Sequence, residues 1–229
     1  MIVGARVGIL GGTFDPVHVG HVESARLVHR LLALDRTILV PSGTPPHRQL
    51  PSVSRFHRFA MAALAVTGIA GLEVSDLEIG DQAPSYTSST LDKLHGEGLA
   101  PAQIFFITGA DAFAEIATWH RYPEVLDLAR FVVVSRPGLS ARLLPARLPQ
   151  LARRMLEVDR DDLYADDDAE PRIYLVDEPT PHVSSTDIRR RLAGGESIAG
   201  LVPEPVRAYI DQHNLYAPTA EQVSGKPLA

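Results

Sequence analysis

The segment GGTFDPVHVGH, Gly11 to His21, combines glycines, a hydroxyl and two imidazoles in an order suited to phosphate chemistry. Gly11 and Gly12 have no side chains, so the backbone there can approach a ligand closely and aim N–H groups at phosphate oxygens, with Thr13 and Phe14 in the same turn. The glycines alone are weak evidence, because neither the GxGxxG nor the GxxxxGKS pattern is present. His18 and His21 raise the specificity. Two imidazoles three residues apart at a helix start share one face, and Gly20 between them would leave room for a phosphate. Both can donate hydrogen bonds to developing negative charge. On the residues alone two other accounts stay open: unrelated surface histidines, or a zinc pair, which would need a third ligand that the same turn does not supply.

Further segments offer compatible chemistry. SSTDIR places three hydroxyls, Ser184, Ser185 and Thr186, at an expected helix cap with Arg189 one turn inside; this suits a triphosphate, or is an ordinary N-cap beside a surface arginine. PPHR presents His47 and Arg48 on a proline-stiffened loop able to grip a phosphate, or serves as a plain connector. Asp111, just past Gly109, can accept ribose hydroxyls or cap a helix. Tyr86 and the sole tryptophan, Trp119, have faces on which a flat ring can stack, although a lone tryptophan more often belongs to a core.

These residues need a frame. Ala5–Leu10 reads as a short strand ending at Gly11-Gly12, and Val17–Leu34 as a helix. Strands are expected at Thr37–Val40, Leu72–Leu77, Gln103–Asp111, Phe131–Val134 and Ile173–Val176, and helices at Arg55–Val66 and from Ser89 to His95. Unbroken apolar runs alternating with helices imply a Rossmann-like, doubly wound parallel α/β sheet, with a small helical C-terminal portion. In that architecture the first strand-to-helix turn is where phosphate binds, which is where Gly11 to His21 falls. Leu139–Leu156 reads as a helix leading into a solvated acidic loop, Asp159 to Glu170, whose irregular spacing and lack of a glycine turn argue against a cation site. The tail 217–229 is expected to fray.

At 229 residues and 24.9 kDa the chain suits one domain, here 1–216. Apolar residues at 45% and charged residues at 22% exclude a disordered or fibrous chain. The absence of cysteine excludes disulfide scaffolds, thiolate catalysis and cysteine zinc sites, and fits a cytoplasmic location. No signal peptide and no membrane span are expected. A net charge of −6 and a pI near 5.8 argue against nucleic acid as a partner, so an anionic ligand needs a local positive site. The sequence leaves a homo-oligomer open.

Gly11 to His21 resembles the signature of the HxGH nucleotidylyltransferase superfamily, and its long form GGTFDPVHxGH is similar to the nicotinate mononucleotide adenylyltransferase branch. The remaining motifs agree in order: PSGTPPHR (Pro41–Arg48) resembles the substrate loop, PSYT (Pro84–Thr87) the pyridine-recognition segment, and GADAF (Gly109–Phe113) with Trp119 the central strand end. SRPG (Ser135–Gly138), SSTDIRRRL and the closing LVPEPVRAYIDQHNLY complete a likeness over residues 5–216.

The resemblance implies that ATP and nicotinate mononucleotide are the substrates and nicotinate adenine dinucleotide and pyrophosphate the products. It implies that His18 and His21 are catalytic. It assigns ATP binding to Gly11, Gly12, Thr13, Phe14, His18, His21, Gly109, Asp111, Ser184, Ser185, Thr186 and Arg189. It assigns mononucleotide binding to His47, Arg48, Ser85, Tyr86, Thr87, Trp119 and Arg136. Mg²⁺ is expected on the ATP phosphates, with no dedicated protein metal site. The chain departs from the family pattern at Asp81, where relatives often carry a basic residue. With no lysine expected near PSYT, preference for the acid substrate is expected to rest on hydrogen bonds to its carboxylate.

Overall fold

The computed structural model describes residues 4–46, 50–136, 138–158, 172–178 and 180–217. Seven strands form one parallel sheet: β1 (Val7–Gly12), β2 (Arg36–Pro41), β3 (Leu72–Val74), β4 (Ile104–Gly109), β5 (Arg130–Val134), β6 (Met155–Val158) and β7 (Ile173–Val176), in the order β3-β2-β1-β4-β5-β7-β6. β1 pairs with β2 on one side and β4 on the other, Leu10 lying level with Leu39 and Ile107. The order therefore reverses direction between β1 and β4. In an open α/β sheet the crevice outside the carboxyl ends of the strands at such a reversal is where ligands bind.

The central strands are covered on both faces, which is why their sequences read as continuous apolar runs. On one face Leu10, Leu39, Phe105, Ile107, Val132 and Tyr174 pack against α1 (Val19–Leu31), α2 (Arg55–Val66), α6 (Ser185–Ala193) and α7 (Glu204–Gln212). On the other, Val7, Ile9, Phe106, Phe131, Val133 and Leu175 meet α3 (Thr87–Gly96), the short α4 (Ala110–Ala114) and α5 (Leu144–Arg147).

Most expected elements are found, α2 with the boundaries read from the sequence. The first helix starts later than expected because His18 is its extended N-cap, and β3 is shorter than Leu72–Leu77. The single helix expected over Leu139–Leu156 is wrong. Leu148 lies outside the helical region (φ −126°, ψ 62°), as a residue before proline must when Pro149 crowds it. The segment breaks into two 3-10 turns, the four-residue α5 and then β6, which lies at the sheet edge among the described residues and pairs with β7, beyond the acidic run. The acidic stretch Asp159 to Glu170 falls outside the described residues, as does nearly all of the tail 217–229.

Candidate active site

The loop from Gly12 to His18 leaves β1 at the switch point and ends as the cap of α1. His18 is 3% exposed, and its ring stacks on that of His21 with centroids 3.7 Å apart and planes 21° apart. The backbone N–H of His18 donates to Nδ1 of His21 at 3.3 Å, so neutral His21 carries its ring hydrogen on Nε2. Phe14, itself buried, meets the His21 ring edge-on at 4.9 Å. The two imidazoles share a face, as their spacing suggests, but Gly20 plays a different part from the one read in the sequence. A Cβ there would lie 3.1 Å from His18 Nδ1 and 3.3 Å from the Pro181 carbonyl, so the space at Gly20 is filled by protein and not kept for a phosphate.

Burial, and then the positive charge of Arg136, holds the His18 imidazole well below its ordinary 6.5, at about 4. Near neutral pH it is therefore an uncharged ring able to donate one hydrogen bond. Its Nδ1 is buried with no protein partner among the described residues.

Three other strand ends, those of β4, β5 and β7, and the start of α6 lie on this side of the crevice. After β4, a Cβ on Gly109 would sit 2.5 Å from the Asp111 carboxylate and 2.9 Å from Arg136 Nε, which places Gly109, the α4 residue Asp111 and the Arg136 that follows β5 together. Ser135 Oγ and Ser140 Oγ both donate to Asp177 Oδ1 beyond β7, at 2.5 and 2.7 Å, holding that carboxyl below the usual carboxylate range and tying down the loop that carries Arg136. From α6, Ser185 Oγ donates to the Pro16 carbonyl at 2.9 Å, and Arg189 donates to the Asp15 carbonyl at 2.6 Å and to Thr186 Oγ1 at 3.3 Å. Ser184 caps the helix by accepting from the Asp187 N–H at 3.1 Å. The serines thus have structural partners, and the arginine is already oriented toward the loop that bears the histidines.

The second half of the site follows β2. Ser85 Oγ accepts from the N–H groups of Gly43 and Thr44 at 3.0 and 3.3 Å and so joins PSYT to the loop 42–46, while its own O–H is still a donor. A Cβ on Gly43 would run into the Glu78 carbonyl, so only glycine fits the close approach. Tyr86 is the N-cap of α3 and Thr87 its first residue. Trp119 is half-buried, edge-on to Phe106 and Phe131 with ring centroids 6.3 Å away in each case. His47 and Arg48 lie outside the described residues.

Three residues that sequence reasoning missed bear on the site. Arg58, 1% exposed, donates to the carbonyls of Thr13 and Gly43 at 2.8 and 3.0 Å and so ties the two loops together. A lone arginine among Met61, Ala62 and Ala65, on the apolar face of α2, was the available signal. His120 stacks on Tyr86 (4.4 Å, 18°) and bonds Ser88 Oγ through Nδ1 at 2.9 Å. Lys93 corrects the expectation that no lysine lies near PSYT. Its ammonium pairs with the Asp81 carboxylate and donates to the Leu77 carbonyl at 2.9 Å. Among the described residues no cluster of three or more His, Asp or Glu could hold a metal ion, and no helix is long and apolar enough to cross a membrane.

Residues 9–191 match the family described as cytidylyltransferase-like. The chain is 42% identical over 214 residues to a protein of Pseudomonas fluorescens, covering 93% of this chain and 98% of the relative. It is 43% identical over 223 residues to one of Pseudomonas syringae pv. tomato, covering 97% of each. Both relatives bear the name probable nicotinate-nucleotide adenylyltransferase. The fold matches that of the Plasmodium falciparum nicotinic acid mononucleotide adenylyltransferase complexed with NaAD, with a TM-score of 0.68 at 18% identity over 93% of this chain and 98% of that one. With a stacked histidine pair at the switch point of such a sheet and this identity over nearly the whole length, the chain belongs to the nicotinate-nucleotide adenylyltransferase family, within the wider cytidylyltransferase-like group.

Proposed function

We propose that the protein transfers the adenylyl group of ATP to nicotinate mononucleotide, giving nicotinate adenine dinucleotide and pyrophosphate in the cytoplasmic synthesis of NAD, with residues 1–216 acting as one nucleotidylyltransferase domain. The observation that carries this is the stacked His18–His21 pair at the β1–β4 switch point, with Arg189 held against the same loop.

A phosphate oxygen of the mononucleotide attacks the α-phosphorus of ATP in line. The new O–P bond forms as the bond to the bridging oxygen breaks, and pyrophosphate leaves with the electron pair. The attacking phosphate is already ionised near pH 7, so no side chain has to remove a proton. Catalysis then rests on positioning and on donors aimed at charge that grows in the transition state. His18, uncharged and buried, and His21, with its hydrogen on Nε2, donate to the α-phosphoryl oxygens and the departing oxygen. Arg189, with Ser184, Ser185 and Thr186 at the α6 N-terminus, holds the β- and γ-phosphates. Gly11 to Phe14 line the approach, and Gly109 and Asp111 receive the ribose. Arg136, between Gly109 and His18, adds positive charge beside the mononucleotide.

A divalent cation such as Mg²⁺, carried in with ATP, would supply neutralisation of phosphate charge. On the phosphate side the Asp15 carboxylate is already bonded by Ser52 and Tyr216, and the His, Arg, Ser and Thr side chains suit phosphate oxygens better than a hard cation, so no residue is assigned as its ligand. Tyr86, Thr87, Ser85 and Trp119 bind the pyridine ring and its carboxylate, and His47 and Arg48 the mononucleotide phosphate. The test is direct: incubation with ATP, Mg²⁺ and nicotinate mononucleotide should release pyrophosphate and nicotinate adenine dinucleotide in equal amounts. Pyrophosphate release that does not depend on the mononucleotide would refute the assignment.

A further inference from the structure

Asp15 is a carboxylate for which the reaction above has no direct use, yet it is only 5% exposed and gathers segments from across the chain. Its Oδ2 accepts from the Ser52 N–H at 2.8 Å, its Oδ1 accepts from the Tyr216 hydroxyl at 2.9 Å, and its carbonyl accepts from Arg189 at 2.6 Å. Ser52 belongs to the connection from β2 to α2. Tyr216 lies 201 residues from Asp15 in sequence and follows α7, whose Val206 and Ile210 sit in the core; the Leu215 N–H donates to the Ile210 carbonyl at 3.1 Å and brings the tyrosine round. At both ends of this bond a bulky aromatic residue is held in the left-handed region, Phe14 at φ 50° and Tyr216 at φ 63°. Such residues avoid that region unless their surroundings over-determine it, and instances gather at functional sites. Burial, and then the adjacent Asp15 carboxylate, pushes the Tyr216 phenol above its ordinary range, so the hydroxyl acts as a donor.

We infer that Tyr216 and Asp15 form a clasp that sets Arg189 for the ATP phosphates and fixes the backbone at Ser52, ahead of α2, on the mononucleotide side, which makes Tyr216 a positioning residue for both substrates. The inference rests on the adenylyl-transfer reading above. Its physical content is pre-organisation: a long arginine and a loop held before binding lose less freedom when the ligands arrive.

Tyr216→Phe keeps the ring and removes only the hydroxyl. The Kd for ATP with Mg²⁺, measured by calorimetry without mononucleotide, should rise about five- to tenfold, within the range that one typical hydrogen bond contributes. KM should rise for both substrates while kcat stays within about twofold. A contact that merely stabilised the fold would lower the melting temperature and the active fraction, cutting kcat at unchanged KM. Because both act through Asp15, Tyr216→Phe combined with Arg189→Lys should lose little more ATP affinity than Arg189→Lys alone. Fully additive losses, or a wild-type Kd in Tyr216→Phe, would overturn the clasp. If Tyr216→Phe fails to fold, Asp15→Asn supplies the second variant. Its amide keeps an acceptor but sets an NH₂ against either Ser52 or Tyr216, and an unchanged KM for both substrates in that variant would likewise overturn the clasp. Wild-type protein that binds ATP without turning over nicotinate mononucleotide would refute the substrate assignment, and the ATP calorimetry would still decide on the clasp.

Discussion

The two sides of the crevice are built differently. On the phosphate side the β1–α1 loop is cross-linked to α2 by Arg58, to α6 by Ser185 and Arg189, and to the segment after α7 by Tyr216, and the stacked histidines sit at its end. The side we assign to the pyridine is assembled from three loops. Ser85 ties 42–46 to 84–87, His120 stacks on Tyr86, and Trp119 leans on Phe106 and Phe131. The difference follows the demands of the chemistry. Stabilising a transition state requires donors fixed in advance, whereas a flat aromatic ring can be held by stacking faces that tolerate small adjustments.

The comparison breaks most readily at the histidines. His18→Ala and His21→Ala should each lower kcat at least about a hundredfold, roughly 3 kcal/mol of transition-state stabilisation, with mononucleotide affinity nearly intact. Steady-state kinetics on folded variants checks this, and a near-wild-type rate in either would remove the pair from the mechanism.

The cost of holding His18 uncharged should show in stability. Its folded value of about 4 lies below the ordinary 6.5, so between these values the unfolded chain binds more protons and stability rises with pH. The contribution is full above about pH 6.5, falls as pH drops toward 4 and levels off below that, a change on the order of 3 kcal/mol. Urea unfolding across this window should show His18→Gln with a flatter acid limb than wild type; equal slopes would mean that His18 titrates normally.

A smaller loss is expected at Arg189. Its planar guanidinium bonds the Asp15 carbonyl and Thr186 together and can still face phosphate oxygens, which an ammonium cannot reproduce. Arg189→Lys should reduce kcat/KM for ATP by about tenfold although the charge is kept. Wild-type kinetics would place the arginine outside the phosphate site.

The least effect is expected on the pyridine side. The Lys93–Asp81 pair is partly exposed, and such pairs are worth about 0–1 kcal/mol. Asp81→Asn frees the ammonium, so KM for the acid mononucleotide should fall about twofold at low salt, with no change for the amide and no effect at high salt. An equal change for both would show that the ammonium does not sense the ring carboxylate.

Much of the frame is legible in the sequence because β1, β2, β4, β5 and β7 carry unbroken apolar runs, whose alternation with helices implies a parallel, doubly wound sheet, though not its strand order. β6 is not, because MLEV gains its strand character only from β7 across the intervening acidic stretch. At the site, His18 and His21 are legible because their spacing is local. Asp15 with Tyr216, Arg58 with Thr13 and Gly43, and Lys93 with Asp81 are not. Each pair is joined by a side chain reaching another segment, and nothing in either segment's own periodicity reports the partner. The same holds for the hydroxyl oxygen of Ser85, whose type suits a ligand and whose position lets it accept from the backbone of Gly43 and Thr44.

Acid and amide mononucleotides are nearly the same shape, so a preference between them reports the donors around the ring and joins both sides of the crevice in one number. Pyrophosphate release measured side by side with nicotinate and nicotinamide mononucleotides should give a kcat/KM about ten- to a thousandfold higher for the acid, as one or two charge-assisted hydrogen bonds would supply. Equal values for the two would contradict the nicotinate assignment and make this an adenylyltransferase of dual specificity.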